Sequence, residues 1–461
     1  MKSNELNSTY DAAVIGSGQG GTPLAVYMAE QGLKTALIER EHVGGTCVNE
    51  GCTPTKTMIA SGRVAHLARR SGDYGVNTGK VEVDFSRVRE RKREIVESFR
   101  QGNLERIKGI KGLDLIRGEA SFDGPRTLEV RQGEDEGFIE ARKIFIDTGA
   151  RPAAPPIEGL HEVDYLDSTS IMELEETPDK LLIIGGGYIG VEFGQAFRRF
   201  GSEVTIFQRS SQLLTHEDRD VAEAVSSVLE EAGLDVRLGY EVRSVEKIPG
   251  GIKVIAGDSA EETGSHLLVA TGRAPNTNSL GLGATGVNTN ERGFIEVDDN
   301  LETDQEGVYA LGDVKGGPAF THISYDDFRI LRDNLFEGGD RTAKERSVPY
   351  TVFTDPQLGR VGLTEEAARE EGYDVRVAKM GMDEVARALE VDETLGLMKA
   401  VVDGETGEIL GASVLGIEGG EIASAIQIAM MGDLTYKDLR EGVFSHPTLA
   451  ESLNNLFAKL D

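Results

Sequence analysis

The 461-residue chain has two cysteines, Cys47 and Cys52, and they lie five positions apart. Thiols so close suit three chemistries: electron transfer through a reversible disulfide, part of a zinc site, or two inert core residues. Zinc needs two further ligands, and only His42 is close by in sequence. In a regular helix, Cα atoms five residues apart are separated by about 8 to 9 Å. A disulfide requires roughly 4.4 to 6.8 Å. The pair therefore bridges only where the backbone tightens, which Gly51 and the Gly44-Gly45 step permit. Pro54 is tolerated in a first helical turn, so Cys52 is expected near a helix N-terminus, a placement that favours a thiolate.

The elements that must position this pair begin with an internal repeat. An apolar strand at 11–15 leads into Gly16-Ser17-Gly18-Gln19-Gly20-Gly21, a helix to Gln31, a stop at Gly32 and a strand at 35–39. A second strand at 181–184 leads into Gly185-Gly186-Gly187-Tyr188-Ile189-Gly190, a helix to Phe200, a stop at Gly201 and a strand at 204–207. The two segments align without a gap. Each is a βαβ opening with a G-x-G-x-x-G turn. Gly16 and Gly185 make the tight turn, Gly18 and Gly187 admit a pyrophosphate, and Gly21 and Gly190 let helix pack on strand. The helix N-terminus supplies amide donors for the phosphates. Two such motifs in register predict two dinucleotide sites.

The residues that end the second strands differ. Glu39 is placed to accept from a ribose 2′-hydroxyl, which suits an unphosphorylated adenosine ribose such as that of FAD. Its counterpart is Gln208, followed by Arg209. Without the carboxylate a 2′-phosphate is not repelled, and Arg209 is placed to pair with it, so NADPH is favoured over NADH. The alternative is that Arg209 is a solvated loop residue. Two more strands end in Thr-Gly crossings, 144–150 and 267–273 with Gly272, and 308–314 ends in Gly312-Asp313. Beyond about 346 the pattern changes to alternating strands and a helix at 421–431, an antiparallel α+β arrangement.

Composition limits the remaining possibilities. With 49 basic and 79 acidic residues the net charge is −30, which argues against nucleic acid or an anionic membrane as partner. No apolar run approaches the roughly 18 residues of a membrane span. The polar N-terminus shows no signal peptide pattern, so a cytoplasmic location is expected. The expected fold is α/β, with two Rossmann-like dinucleotide-binding domains and a C-terminal α+β domain. The expected boundaries are 1–150 for FAD, 151–275 for NAD(P), 276–345 for a central domain and 346–461 for the α+β domain, and a family resemblance implies that the central domain completes the FAD site and that the last is the dimerisation interface.

The run GGTCVNEGCTPTK resembles the redox-active disulfide signature of the class I pyridine nucleotide-disulfide oxidoreductases. That family includes dihydrolipoamide dehydrogenase, glutathione reductase and mercuric reductase, and the resemblance covers essentially the whole chain. It implies an FAD-dependent NAD(P)H oxidoreductase acting on a small dithiol or disulfide, with Cys52 as the charge-transfer thiolate and Cys47 as the interchange thiol. It further implies that Lys56 and Glu192 pair beside the flavin, that Tyr188 gates the nicotinamide site and that Asp313 holds the ribityl chain. Ser445-His446-Pro447-Thr448-Leu449-Ala450-Glu451 resembles the family's base and its orienting carboxylate, supplied by the partner subunit of a homodimer. A histidine titrating near neutrality suits the protons released when a dithiol is oxidised. The same residues also spell a capping box, in which Glu451 only satisfies a helix end. The chain lacks the C-terminal cysteine pair of mercuric reductases, and Gln208 stands where dihydrolipoamide dehydrogenases usually carry an acid. A metal or quinone reductase on the same fold, or a non-catalytic NAD(P)H-binding redox sensor, are the competing expectations.

Overall fold

The computed structural model describes residues 8–344 and 346–460. The chain divides into two compact units. The first runs through Thr57, resumes over Glu90–Ala153 and returns over Gly272–Arg346. The second comprises Met58–Arg89, Ala154–Thr271 and Ser347–Asp461. Two long helices, Cys52–Arg69 and Phe85–Gly109, carry the chain from one unit into the other and back.

The first unit is built on a seven-stranded sheet, whose order is Leu113–Arg117, Thr35–Glu39, Ser8–Ile15, Asp135–Ile146, Thr127–Gln132, Glu119–Gly124, with Val308–Ala310 also paired to Asp135–Ile146. Strand Asp135–Ile146 is the axis of this sheet. Its first half alternates exposed and buried residues and pairs antiparallel with Thr127–Gln132. Its second half is a continuous apolar run, Ile144 to Ile146, with parallel neighbours on both sides, Ser8–Ile15 and Val308–Ala310. That switch from alternation to a solid apolar run is what a strand covered on both faces requires. Cores on both faces match this, with Ala13, Ile15, Ile144 and Ile146 on one and Ala12, Val14, Phe145 and Leu311 on the other. The chain leaves this unit beside the point where it returns. Ala150–Pro152 pairs antiparallel with Arg273–Pro275, and the Ala153 amide donates to the Gly272 carbonyl at 3.0 Å.

The second unit contains a four-stranded parallel sheet, Asp235–Leu238, Glu203–Gln208, Lys180–Ile184 and His266–Val269, and a three-stranded antiparallel sheet spanning Val242–Gly264. Its third sheet is antiparallel and five-stranded, in the order Tyr350–Val352, Gln357–Gly362, Ile409–Gly416, Leu397–Asp403, Val375–Gly381. Helix Tyr188–Phe200 packs its apolar face, including Phe193, Ala196 and Phe197, into a core that also takes in Met58, Phe85, Leu358 and Leu415.

A polar row crosses the five-stranded sheet. Tyr350, Arg360, Ser413, Lys399 and Lys379 are register partners in turn, one on each strand, so their side chains share a face. The segment Glu217–Asp220 lies against this row. Lys399, 3% exposed, pairs with Asp218 at 3.1 Å and Asp220 at 3.0 Å, and Lys379 pairs with Asp220 at 3.0 Å. Ser413 Oγ donates to Glu217 at 3.3 Å, and the Tyr350 hydroxyl donates to the other Glu217 oxygen. A buried charge is tolerated only with partners of this kind.

Candidate functional site

The first glycine loop joins strand Ser8–Ile15 to helix Gly21–Glu30, with Gly16, Gly18 and Gly21 at the turn. Glu39 is 9% exposed, and protein donors fix both its oxygens. Oε2 accepts from the Ser17 amide at 3.1 Å and the Ser17 hydroxyl at 2.6 Å, and Oε1 accepts from the Glu41 amide at 2.8 Å. A carboxylate offers about four lone-pair directions, so this one keeps an acceptor for a ribose hydroxyl. The second loop repeats the geometry with an amide. Gln208 Oε1 accepts from the Gly186 amide at 3.1 Å, and its Nε2 donates to the Gln212 carbonyl at 3.2 Å. Arg209 beside it is exposed. Gly187 has open space where a Cβ would project, as close approach of a phosphate needs. Tyr188 opens helix Tyr188–Phe200, and Gly190 is buried in its first turn.

Sequence reading missed a residue beneath the first loop. Asp147 ends strand Asp135–Ile146, and its Oδ2 accepts from the Gly21 amide at 2.7 Å. A Cβ on Gly18 would meet that carboxyl oxygen at 2.6 Å, so Gly18 is fixed by a protein neighbour as well as by any ligand. Burial, foremost, pushes the Asp147 carboxyl well above the usual range, against the Gly21 hydrogen bond. The nearby charges of Asp313, Asp327 and Glu39 push the same way as burial. The only hint in the sequence was an acid inside IFIDTGA, at the end of an apolar strand. Asp313 lies in the short turn Gly312–Lys315, 3.6 Å from Arg273 Nε. Burial raises its carboxyl too, and Arg273 and Lys315 oppose this.

The cysteine segment is docked on the same loop. The Gly44 amide donates to the Ser17 carbonyl at 3.1 Å, and Gln19 Nε2 donates to the Gly44 carbonyl at 2.9 Å. Cys47 lies in the short helix Gly45–Asn49, and Cys52 is the first residue of helix Cys52–Arg69. The break between them is the tightening that the spacing demanded. A Cβ on Gly51 would lie 2.9 Å from the Thr46 carbonyl oxygen and 3.4 Å from Cys47 Cα, so only glycine lets the chain fold back this closely. Both cysteines are free thiols. The neighbouring Cys52 sulfur foremost, then burial, pushes the Cys47 thiol up, while the Thr321 hydroxyl and the Lys56 cation pull it down. Thr321, also missed by sequence reading, is the first residue of helix Thr321–Arg332, and its Oγ lies 3.4 Å from Cys52 Sγ.

In the second unit, Glu192 is 5% exposed and accepts from the Phe353 amide at 2.8 Å. His446 is exposed, and its Nδ1 faces Glu451 at 2.9 Å and 3.1 Å. The Thr448 hydroxyl accepts from the Glu451 amide at 3.2 Å. The capping box is not formed: helix Ser452–Ala458 has Glu451 at its N-cap with no side-chain cap bond, Thr448 braces the turn before it, and the Glu451 carboxylate turns to the imidazole.

A family model described as pyridine nucleotide-disulphide oxidoreductase matches residues 10–327, and the dimerisation domain of the same family matches residues 348–457. The chain belongs to this family. It is 40% identical to the probable pyridine nucleotide-disulfide oxidoreductase RclA of Escherichia coli K12, over 97% of this chain and 99% of that one. It is 39% identical to a mercuric reductase of Lysinibacillus sphaericus, over 98% of this chain and 82% of that one. A solved Cu(II) complex of the HOCl-induced flavoprotein disulfide reductase RclA from Escherichia coli superposes with a TM-score of 0.91 at 39% identity, covering 98% of this chain and all of that one. This pyridine nucleotide-disulfide oxidoreductase is thus an FAD-dependent enzyme that uses a pyridine nucleotide and a redox-active cysteine pair. The Glu39 acceptor, the glycine turns and the paired thiols fit those groups. Among the described residues no helix is long and apolar enough to cross a membrane, and no cluster of three His, Cys, Asp or Glu is disposed to hold a metal.

Proposed function

We propose that this oxidoreductase reduces a small disulfide with NADPH in the cytoplasm, acting as a homodimer. The observation that carries the reading is the Cys47 and Cys52 thiols brought together by the fold-back at Gly51 at the start of helix Cys52–Arg69, with Thr321 against Cys52. Bound FAD supplies the two-electron transfer between nicotinamide and the cysteines. Glu39 and the loop Gly16–Gly21 hold its adenosine end, and Asp313 its ribityl chain. Family resemblance assigns Lys56 and Glu192 to the chemistry at its reactive edge. Gln208 and Arg209 receive the 2′-phosphate of NADPH on the loop of Gly185, Gly187 and Gly190, and Gly272 lies where the chain re-enters the flavin-binding unit.

Two electrons break the Cys47–Cys52 bond and leave a thiolate on each sulfur, one of which takes up a proton. Cys47 attacks one substrate sulfur and forms a mixed disulfide, and the displaced thiolate takes a proton from His446 of the partner subunit. Cys52 then attacks Cys47, re-forms the internal disulfide and releases the second thiol. Glu451 fixes the imidazole tautomer and steadies its charged form. The test is a substrate panel of lipoamide, glutathione disulfide, Hg(II), Cu(II) and a quinone, each with NADPH and with NADH. A disulfide should show the highest kcat/KM, and Cys47→Ser should abolish that activity. A quinone or metal ion that turns over equally well in Cys47→Ser would refute the relay.

A further inference from the structure

Helix Thr321–Arg332 does more than bring Thr321 to Cys52. Thr321, Ser324 and Asp327 recur at intervals of three, so they lie along one side of it. A Cβ on Gly312 would meet Ser324 Oγ at 2.9 Å, and one on Gly20 would meet the Ser324 carbonyl oxygen at 2.7 Å. That side is therefore packed on the first glycine loop and on the turn Gly312–Lys315, which carries Asp313. Asp327 is wholly buried there.

Both oxygens of Asp327 are taken. Oδ2 accepts from the Gly312 amide at 2.8 Å and lies 3.3 Å from Lys315 Nζ. Oδ1 accepts from Arg346 Nη1 at 2.5 Å. One oxygen thus ties the residue before Asp313 to the residue two after it. Gly312 takes a φ of +69°, and a Cβ there would also strike Asp147 Oδ1 at 2.8 Å, so the turn has a tightly fixed entry. Asp313 itself is left open. Its nearest cation among the described residues is Arg273 Nε at 3.6 Å, too far for a hydrogen bond, so its oxygens keep acceptors for a ligand. Burying a carboxylate is costly, and an apolar side chain would fill the space beneath the turn without that cost. What the carboxylate adds at 327 is closure of the turn on both sides of Asp313.

We infer that Asp327 is a positioning residue for flavin binding, holding the Asp313 turn through Gly312 and Lys315 so that the Asp313 carboxylate is presented to the ribityl hydroxyls. The inference rests on the reading of Asp313 as the ribityl acceptor. Asp327 meets no part of the flavin and acts through Asp313, while Lys315 and Arg346 balance its charge.

The test is FAD retention by the full-length holoenzyme, read from the flavin fluorescence released on dilution, with displacement by ADP measured alongside. ADP fills only the adenosine and pyrophosphate half of the site, the part held by Glu39 and the first glycine loop. Asp313→Asn should raise the Kd for FAD about tenfold, the loss of one hydrogen bond to a charged group. Asp327→Asn should also raise it about tenfold, leave the Kd for ADP within about twofold, and add less than about twofold in the Asp313→Asn background. Lys315→Met opens the same tie from its other end and should raise the FAD Kd about threefold, the low end for one hydrogen bond, with ADP again unaffected. It carries the test by the same criteria should Asp327→Asn not fold. An unchanged FAD Kd in Asp327→Asn, or a full effect that survives in the Asp313→Asn background, overturns the inference. Equal weakening of ADP overturns it too, since Asp327 would then brace the whole loop and not Asp313. If Asp313→Asn retains FAD as the wild type does, the ribityl reading fails and the inference falls with it.

Discussion

Changing Gln208 to glutamate should reverse the nucleotide preference, and the two glycine loops supply the magnitude. Glu39 Oε2 accepts from the Ser17 amide at 3.1 Å, and Gln208 Oε1 accepts from the Gly186 amide at the same 3.1 Å. A carboxylate in place of the Gln208 amide therefore adopts a pose already tested in the first unit, with one oxygen on the loop amide. The only bond lost is the 3.2 Å donation to the Gln212 carbonyl. A negative charge about 4 Å from a 2′-phosphate costs at least ~1 kcal/mol even in a water-like dielectric. A ribose hydroxyl bonded to the new carboxylate contributes about 1.5 to 3 kcal/mol for NADH. Together these give roughly 2.5 to 4 kcal/mol, about a hundredfold to a thousandfold swing in the ratio of kcat/KM values. The wild-type enzyme should start from a modest NADPH preference of about fivefold, because an exposed Arg209–phosphate contact is worth about 1 kcal/mol. Steady-state kinetics with both nucleotides, on both proteins, measure the swing. A ratio that moves by less than about threefold in Gln208→Glu would show that the 2′-position lies elsewhere.

Two-electron reduction should produce a long-wavelength charge-transfer absorbance, which Cys52→Ser should abolish and Cys47→Ser should show without reductant. Identical spectra for the two variants would reverse the role assignment. His446→Ala should slow disulfide turnover by ~10² to 10⁴ while flavin reduction by NADPH stays near wild type. A heterodimer of Cys47→Ser with His446→Ala chains should regain activity, since one shared site then holds both intact groups; no regain in a confirmed heterodimer would place the base within its own chain. Asp147 has its folded pKa raised, so its contribution to stability is present below the unfolded value of about 3.9 and is lost as pH rises through the folded value. Asp147→Asn should accordingly raise Tm more at about pH 8 than at about pH 5, and a pH-independent difference in calorimetry would exclude a raised carboxyl.

The parts of the site that were legible in the sequence are those dictated locally. Gly51 had to be small because Cys47 and Cys52 sit too far apart on a regular helix, and the structure breaks the helix there. The glycine turns and the positions of Glu39 and Gln208 at the strand ends follow from one βαβ pattern, so their places could be read at fixed offsets. Asp147 and Thr321 could not, because they arrive from 126 and 269 positions away and depend on which strands become neighbours. Thr448 and Glu451 were ambiguous for a different reason. Capping and histidine orientation need the same residue types at nearly the same spacing, and only the direction of the Glu451 carboxylate separates them. The excursion of Met58–Arg89 into the second unit left no trace in the pattern, since the helices Cys52–Arg69 and Phe85–Gly109 continue through both crossings.

The polar row on the five-stranded sheet bears on how this chain can be recombined. Its partners Glu217, Asp218 and Asp220 belong to the stretch that carries the nucleotide turn, while Tyr350, Arg360, Ser413, Lys399 and Lys379 come one from each strand of the C-terminal sheet. A chimera that imports residues 154–271 from a relative, to change coenzyme use, replaces these acids while the groups they pair with stay behind. Glu365, 2.9 Å from Lys399, stays with the C-terminal sheet, so the hybrid loses two of the three carboxylates around this deeply set cation. Grafts should therefore move five scattered sheet positions along with the contiguous block, and libraries that cut only at the crossings near 153 and 272 should yield less stable progeny than those that carry the sheet positions too.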